Sequence, residues 1–316
     1  FDRGPGLVEN LAGQQRARGK KSGLLVFQFF SISACFLFLA SYPACRQAGS
    51  PPKTAAQTKL ACENGNLPLI FMARQLFSTP TGMHDVLPSD QPYWEKIRRE
   101  VFDMAEFYDF GYLATPVLEY IGVFEKSLGV SSDVVEKEMF TLKTKGGDDL
   151  ALRPENTAPV MRAYLEHGWE SLPQPVKVFY LGPMFRHENP QAGRFRQFNQ
   201  FGFEMLGSED PVIDAELILI ATNLLKDFGV KNLICEVNSL GDKVCRVKYR
   251  AALKDYFRNN IKKMCGNCQR RFKNNPLRIL DCKEERCREV IVKAPQILDF
   301  ICEDCRSHFK KLLEFL

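Results

Sequence analysis

Along the chain the spacing of apolar positions changes repeatedly, and each change marks an element. Trp94, Ile97, Val101, Ala105 and Tyr108 recur at helical spacing, with Glu95, Lys96, Arg98, Arg99 and Glu100 on the other face. This predicts an amphipathic helix capped near Ser89 or Asp90. Beyond Gly111, residues 112–120 read as a short strand interrupted by Pro116; a proline lacks the N–H that a ladder needs, so an edge position follows. Residues 139–145 and 150–153 flank Gly146-Gly147-Asp148-Asp149, a hairpin signal. Thr157 opens a helix through Leu165, and residues 176–186 and 198–206 form two further strands around a polar loop, 187–197. Asp210-Pro211 starts another helix, residues 233–237 read as a strand, and after Gly241 the chain is mostly helical and basic. Hairpins alternating with helices, rather than strict βαβ repeats, predict an α+β fold: an antiparallel sheet flanked by helices, with a mostly helical insertion.

The first 71 residues break this pattern. Residues 22–45 carry no charge, 24–44 are almost wholly apolar, and Arg16, Arg18, Lys20 and Lys21 precede them. On hydropathy alone this is a membrane-anchor or signal-like segment, since roughly 20 apolar residues span a bilayer. A polar linker, 47–66, follows, then Met72-Ala73-Arg74 just ahead of the first globular patterning at Thr79. The chain also starts with Phe. We therefore read 1–71 as upstream sequence or an unrelated extension, with a targeting segment or anchor as the alternative. The expected organisation is 1–71 as extension, 72–240 as core and 241–316 as basic, cysteine-containing helical insertion.

Composition adds limits. With 45% hydrophobic and 26% charged residues in 316, the chain is an ordinary globular protein of one large domain plus extras, or of two domains. A net charge of +5 permits a polyanionic partner without requiring one; the excess is concentrated in residues 243–293. Of eleven cysteines, six form the pairs Cys265/Cys268, Cys282/Cys287 and Cys302/Cys305. Cys265, Cys268, Cys302 and Cys305 offer four thiolates for zinc, with Cys282 and Cys287 as competitors, although the 33-residue gap between the two CxxC pairs exceeds that of common zinc ribbons. Free thiols are the alternative.

No GxxxxGK[ST] or GxGxxG loop follows a strand, so any nucleotide must be held by side chains on a sheet. The two strands around residues 187–197 supply them. Arg186 and Glu188 share one face at period two, as do Gln200, Gly202 and Glu204 on the return strand. Burying that many polar groups on one face is costly unless they bind something. Arginine suits a phosphate through its planar fork; Glu204 suits an ammonium or an imidazole N–H. Arg194 and Arg196 in the loop read as mobile cations able to close over a triphosphate or nucleic-acid backbone. A merely solvated charged hairpin is the competing reading.

The string LGPMFRHENPQAGRFRQFNQFGFEMLG, residues 181–207, resembles motif 2 of the class II aminoacyl-tRNA synthetases in its histidyl form. LRPENT at 152–157 resembles the RPE-x-T element of the same family, residues of about 94–120 resemble motif 1, and TGMHDVLP at 81–88 is similar to the family's G-x-x-D-x-x-P opening. The resemblance implies a class II core that activates L-histidine with ATP and Mg²⁺ to histidyl-adenylate and transfers it to tRNA(His). It implies that Arg186 binds the α-phosphate and the histidine carbonyl, and that Glu188 lies at the adenine and Arg194 at the β- and γ-phosphates. Glu155 and Thr157 would hold the amino group of histidine, Gln200 its carboxylate and amino end, and Glu204 its imidazole. A cytoplasmic homodimer built through motif 1 is implied as well, with the basic insertion a candidate contact for the tRNA backbone and a membrane role only if 24–44 is genuine. The family's RG-[LM]-x-Y-Y element, motif 3 and anticodon-binding domain are not found, so the chain reads as a fragment that stops short of them. A histidine-sensing regulatory subunit of ATP phosphoribosyltransferase, a paralogue without ligase activity, is the alternative, disfavoured by the arginines of the motif 2 loop.

Overall fold

The structure, a computed structural model, describes residues 26–31, 38–39, 78–129, 132, 134–190 and 193–316. Most of the 1–71 extension therefore lies outside the described residues. Of its apolar stretch only two backbone segments are described, β1 (Val26–Ser31) and β2 (Phe38–Leu39). Among the described residues no helix is long and apolar enough to cross a membrane. The chain divides into two compact units, one of residues 33–209 and one of 1–32 with 210–316. The break thus falls at Glu209/Asp210, and the boundary expected at 240/241 lies inside the second unit.

In the first unit the helical pattern becomes α1 (Gln91–Phe107), with Pro92 in its first turn and Val101 and Ala105 buried. The strand expected over 112–120 is two strands, β3 (Gly111–Tyr112) and β4 (Leu118–Tyr120), in different sheets. Pro116 lies between them, where no ladder N–H is required. Next come α2 (Ile121–Leu128), the hairpin strands β5 (Thr141–Lys143) and β6 (Asp149–Leu152), and α3 (Thr157–Glu166). The long hairpin follows as β7 (Val176–Phe185) and β8 (Gln197–Leu206), in register from Val176↔Leu206 to Phe185↔Gln197. Two sheets result. The larger has the order β2-β8-β7-β3, antiparallel except that β3 runs parallel to β7; the smaller is the antiparallel β4-β6-β5.

The two faces of the long hairpin have different fates. On one, Phe179 stacks with Phe203 at 5.8 Å, with Phe110 edge-on to Phe203 at 5.1 Å and Phe102 of α1 edge-on to Phe179 at 5.0 Å. The other carries Val178, Tyr180 and Met184, packed with Val160 and Tyr164 of α3. The same face presents Gln200 and Glu204, so α3 covers a surface that is apolar at one position and polar at the next. Phe124 of α2, Ala151 of β6 and Ala158 of α3 form a smaller cluster beside it. Arg162 of α3 is paired with Glu119 of β4 and, at 2.7 Å, with Glu166.

The second unit holds α4 (Pro211–Asp227), whose N-cap Asp210 accepts the Val212 N–H at 3.0 Å. Then come β9 (Ile234–Ser239), which pairs in parallel with β1, and α5 (Lys243–Asn260), α6 (Gly266–Asn274), α7 (Glu285–Ile291) and α8 (Glu303–Phe315). Tyr249, Leu253 and Phe257 of α5 form a small core with Met264, Ile279 and Ile297, and with buried cysteines.

Gly202 is fixed by the hairpin register. It lies opposite Tyr180, and a Cβ there would sit 2.5 Å from the tyrosine ring and hydroxyl. Gly202→Ala must displace a buried ring, which costs about 1–3 kcal/mol. Chemical denaturation of the variant should show that loss, and an unchanged midpoint would contradict the packing.

Candidate active site

The polar groups of this face are held from three directions. Glu155 precedes α3, and its two carboxylate oxygens accept the N–H groups of Thr157 (2.7 Å) and Ala158 (3.1 Å), satisfying donors that a helix start leaves unpaired. Thr157 Oγ1 donates to Glu204 on β8 at 2.9 Å. Glu155, Glu204 and Gln200 are 3%, 2% and 1% exposed, so the solvated-hairpin reading does not apply to them. Gln200 Nε2 donates to the Tyr180 hydroxyl at 3.2 Å, while its Oε1 has no partner and is fully buried. A buried acceptor without a donor costs about 1–3 kcal/mol, and a bound ligand N–H would offset it.

Arg186 follows β7 directly. Its Nε donates to the Pro154 carbonyl at 2.8 Å, and its guanidinium lies over the Phe198 ring at 5.3 Å. Its Nη1 is 3.9 Å from Glu188, and Glu188 is paired with Arg194 at 3.0 Å. With Nε tethered and one flat side stacked, the fork is oriented before any ligand arrives. Burial pushes the Arg186 guanidinium below the ordinary arginine range, with the Glu188 carboxylate opposing. Burial likewise pushes the Glu155 carboxyl up, opposed by the two backbone N–H groups and Arg186.

The structure brings Glu155, Thr157 and Glu204 together around α3, and Arg186, Glu188 and Arg194 together at the hairpin mouth. One loop residue has another task than its sequence suggested. Arg196 is a tie rather than a mobile cation. Its backbone N–H donates to Gly82 O at 2.7 Å and its Nε to Glu188 O at 3.2 Å, and its side chain packs where a Cβ on Gly82 (φ +81°) would stand, 2.8 Å from Cγ. His187 donates its N–H to Glu138 O at 2.7 Å and sets its ring edge-on to Phe140 at 5.3 Å. Sequence reasoning missed Arg153, buried between the two sheets of this unit. Its Nε donates to Pro183 O at 3.0 Å, and its Nη1 to Thr115 O at 2.8 Å, Thr115 Oγ1 at 2.9 Å and Asn156 Oδ1 at 3.3 Å. It stands inside LRPENT, and a basic residue between apolar Leu152 and a proline was the available signal.

The cysteines of the second unit group differently from the expectation. Cys265, Cys268, Cys302 and Cys305 are not one set. Cys265 and Cys268 meet Cys282 and Cys287, whereas Cys302 and Cys305 meet Asp242 and Cys245; within each group the ligating atoms lie within 4.8 Å of one another. The reason is topological: α5 carries Cys245 to the start of α8, and the turn before α7 and the first turn of α7 carry Cys282 and Cys287 to the start of α6. The Cys265 thiol is lowered to about 7, chiefly by the Cys268 N–H, while burial pushes Cys268 and Cys287 up.

A sheet that offers anion-seeking and cation-seeking groups from one face fits the class II aminoacyl-tRNA synthetase core that the sequence resemblance implies, and the comparisons bear this out. The family profile described as Histidyl-tRNA synthetase matches residues 82–245. A histidine–tRNA ligase of Desulforudis audaxviator is 46% identical over 241 residues, 76% of this chain and 57% of that protein. One of Dehalococcoides mccartyi is 45% identical over 76% of this chain and 58% of that protein. The crystal structure of apo S. aureus histidyl-tRNA synthetase superposes with a TM-score of 0.60 at 34% identity, covering 76% of this chain and 54% of that one. The chain belongs to the histidyl-tRNA synthetase family, and it spans somewhat more than half the length of these relatives.

Because the folded Glu155 carboxyl is raised above its ordinary value of 4.5, its contribution to stability is full below that value and is lost as pH rises through the folded one. Urea midpoints followed across that range should therefore fall more steeply for the parent than for Glu155→Gln. Parallel pH profiles for the two would contradict the assignment.

Proposed function

We propose that this chain carries the histidine- and ATP-binding half of a histidine–tRNA ligase site, forming histidyl-adenylate and passing the histidyl group to tRNA(His). The observation that carries the reading is the pairing, on one sheet face, of a pre-oriented Arg186 with a buried cation-binding end made by Glu155, Thr157, Gln200 and Glu204. Histidine has the matching polarity: an ammonium and an imidazole N–H for the carboxylates, and a carboxylate that must meet an α-phosphate beside the arginine.

The orphaned Gln200 Oε1 accepts from the ammonium, with Glu155 as counter-charge. Glu204, steadied by the Thr157 hydroxyl, accepts the imidazole N–H, a hydrogen bond that isosteric side chains lacking a donor cannot make. The histidine carboxylate oxygen then attacks the α-phosphorus, and pyrophosphate leaves. Arg186 receives the charge developing on the α-phosphate oxygens, with no reorientation of its tethered Nε. In the second step the terminal ribose hydroxyl of the tRNA attacks the adenylate carbonyl and AMP leaves. Arg194, at the exposed end of the Glu188 pair, is positioned to exchange that partner for the β- and γ-phosphates. Mg²⁺ would neutralise the pyrophosphate.

A cytoplasmic protein fits the eight described cysteines, all unpaired. A homodimer through motif 1 is supported by an apolar surface there. Phe107 and Tyr112 are exposed, and a cavity of ≈ 360 Å³ opens between Phe102, Phe110, Tyr112 and Phe179. The arginine-bearing hairpin mouth favours the ligase over a histidine sensor, which needs no triphosphate contacts.

In the full-length protein, Arg186→Ala should lower histidine-dependent ATP–pyrophosphate exchange by roughly 10²–10³. Glu204→Gln should raise the KM for histidine and leave that for ATP nearly unchanged. Equal exchange by Arg186→Ala and the parent would remove Arg186 from its role. Tyr112→Glu should shift the sedimenting species from dimer to monomer, and a parent that sediments as a monomer would refute the dimer reading.

A further inference from the structure

We propose that Cys265, Cys268, Cys282 and Cys287 hold one zinc ion as four thiolates, forming a structural centre in the second unit. Four sulfurs, two from the start of α6 and one each from the turn before α7 and from α7, converge to within 4.8 Å of one another, and Cys265 Sγ stands 3.8 Å from Cys282 Sγ. A tetrahedral ion with Zn–S bonds of about 2.3 Å sets its sulfurs roughly 3.8 Å apart. Disulfides need about 2.05 Å between sulfurs, and all four thiols are free. Packing as small hydrophobes explains a single buried cysteine, but gives no reason for four to turn their sulfurs toward one point.

The backbone is arranged for thiolates. Cys265 caps α6 and its sulfur receives the Cys268 N–H at 3.5 Å; the Cys287 sulfur receives the Cys265 N–H at 3.2 Å. The spacing is C-x2-C-x13-C-x4-C, close to that of two-knuckle zinc sites. Zinc displaces four S–H protons to solvent, leaving a centre of net charge −2. The surroundings suit that charge: between 262 and 288 nine Lys and Arg residues stand against three Asp and Glu. The ion would join the start of α6, the start of α7 and the turn between them, within the cluster that holds Phe257, Leu253 and Ile279.

The test is differential alkylation of the whole chain, purified with zinc and read per cysteine by peptide mass spectrometry. With metal bound, Cys265, Cys268, Cys282 and Cys287 should react at least about tenfold more slowly than after chelation, while exposed Cys235 reacts equally in both. Equal rates for the four with and without chelator would overturn the proposal. Bound zinc, measured by elemental analysis after gel filtration, should fall by one equivalent per chain in Cys268→Ser and stay unchanged in Cys235→Ser. A parent that elutes without zinc, or a Cys268→Ser variant that retains all of it, would also overturn the proposal.

Discussion

One buried guanidinium, Arg153, fixes how the two sheets of the first unit meet. It reaches the Pro183 carbonyl on the long hairpin, the Thr115 carbonyl and hydroxyl in the break between β3 and β4, and Asn156 at the start of α3. One planar cation thus serves several acceptors from different segments at once, and the Thr115 hydroxyl adds a 2.6 Å bond to Asn156 Oδ1. Everything in the site is positioned relative to this knot. Pro154, next in sequence, offers its carbonyl to Arg186; Glu155 and Thr157 follow on the next turn; and the hairpin that bears Gln200 and Glu204 is held through Pro183. The buried polar groups of the candidate site are thus supported by a cation whose own donors are spent on backbone and side-chain acceptors of the frame.

Much of this was legible in the sequence because the period-two alternation on residues 200–205 is strict. A strand with Gln200, Gly202 and Glu204 on one side and Phe201, Phe203 and Met205 on the other has a single consistent register against β7. The helices around Trp94 and after Asp210 were legible from spacing and caps for the same reason. Pro116 was read as an interruption, but its consequence, that β3 and β4 join different sheets, depends on which partner each half finds. Arg153 was not picked out because its one local signal, a basic residue between Leu152 and Pro154, does not by itself tell a buried arginine from a surface one. Arg196 was misread because its partner, Gly82, is distant in sequence.

The cysteines show the same division between local and non-local information. The CxxC pairs are evident from spacing, and each pair does share a group. Which pairs combine was decided by helix packing. The choice of the two CxxC pairs as one set relied on motif similarity, whereas the shorter closure, across the 13 residues after Cys268, costs less chain entropy and is the one adopted.

The tie between Arg196 and Gly82 makes the segment ahead of α1 a reporter on the hairpin loop. The loop's return limb is anchored through Gly82 O and the Arg196 side chain, so whatever orders or displaces residues 81–82 changes the conformational freedom of Arg194 without touching it. Freedom lost before binding need not be lost during it. The conformation of the loop's return limb is therefore tied to a segment more than a hundred residues upstream.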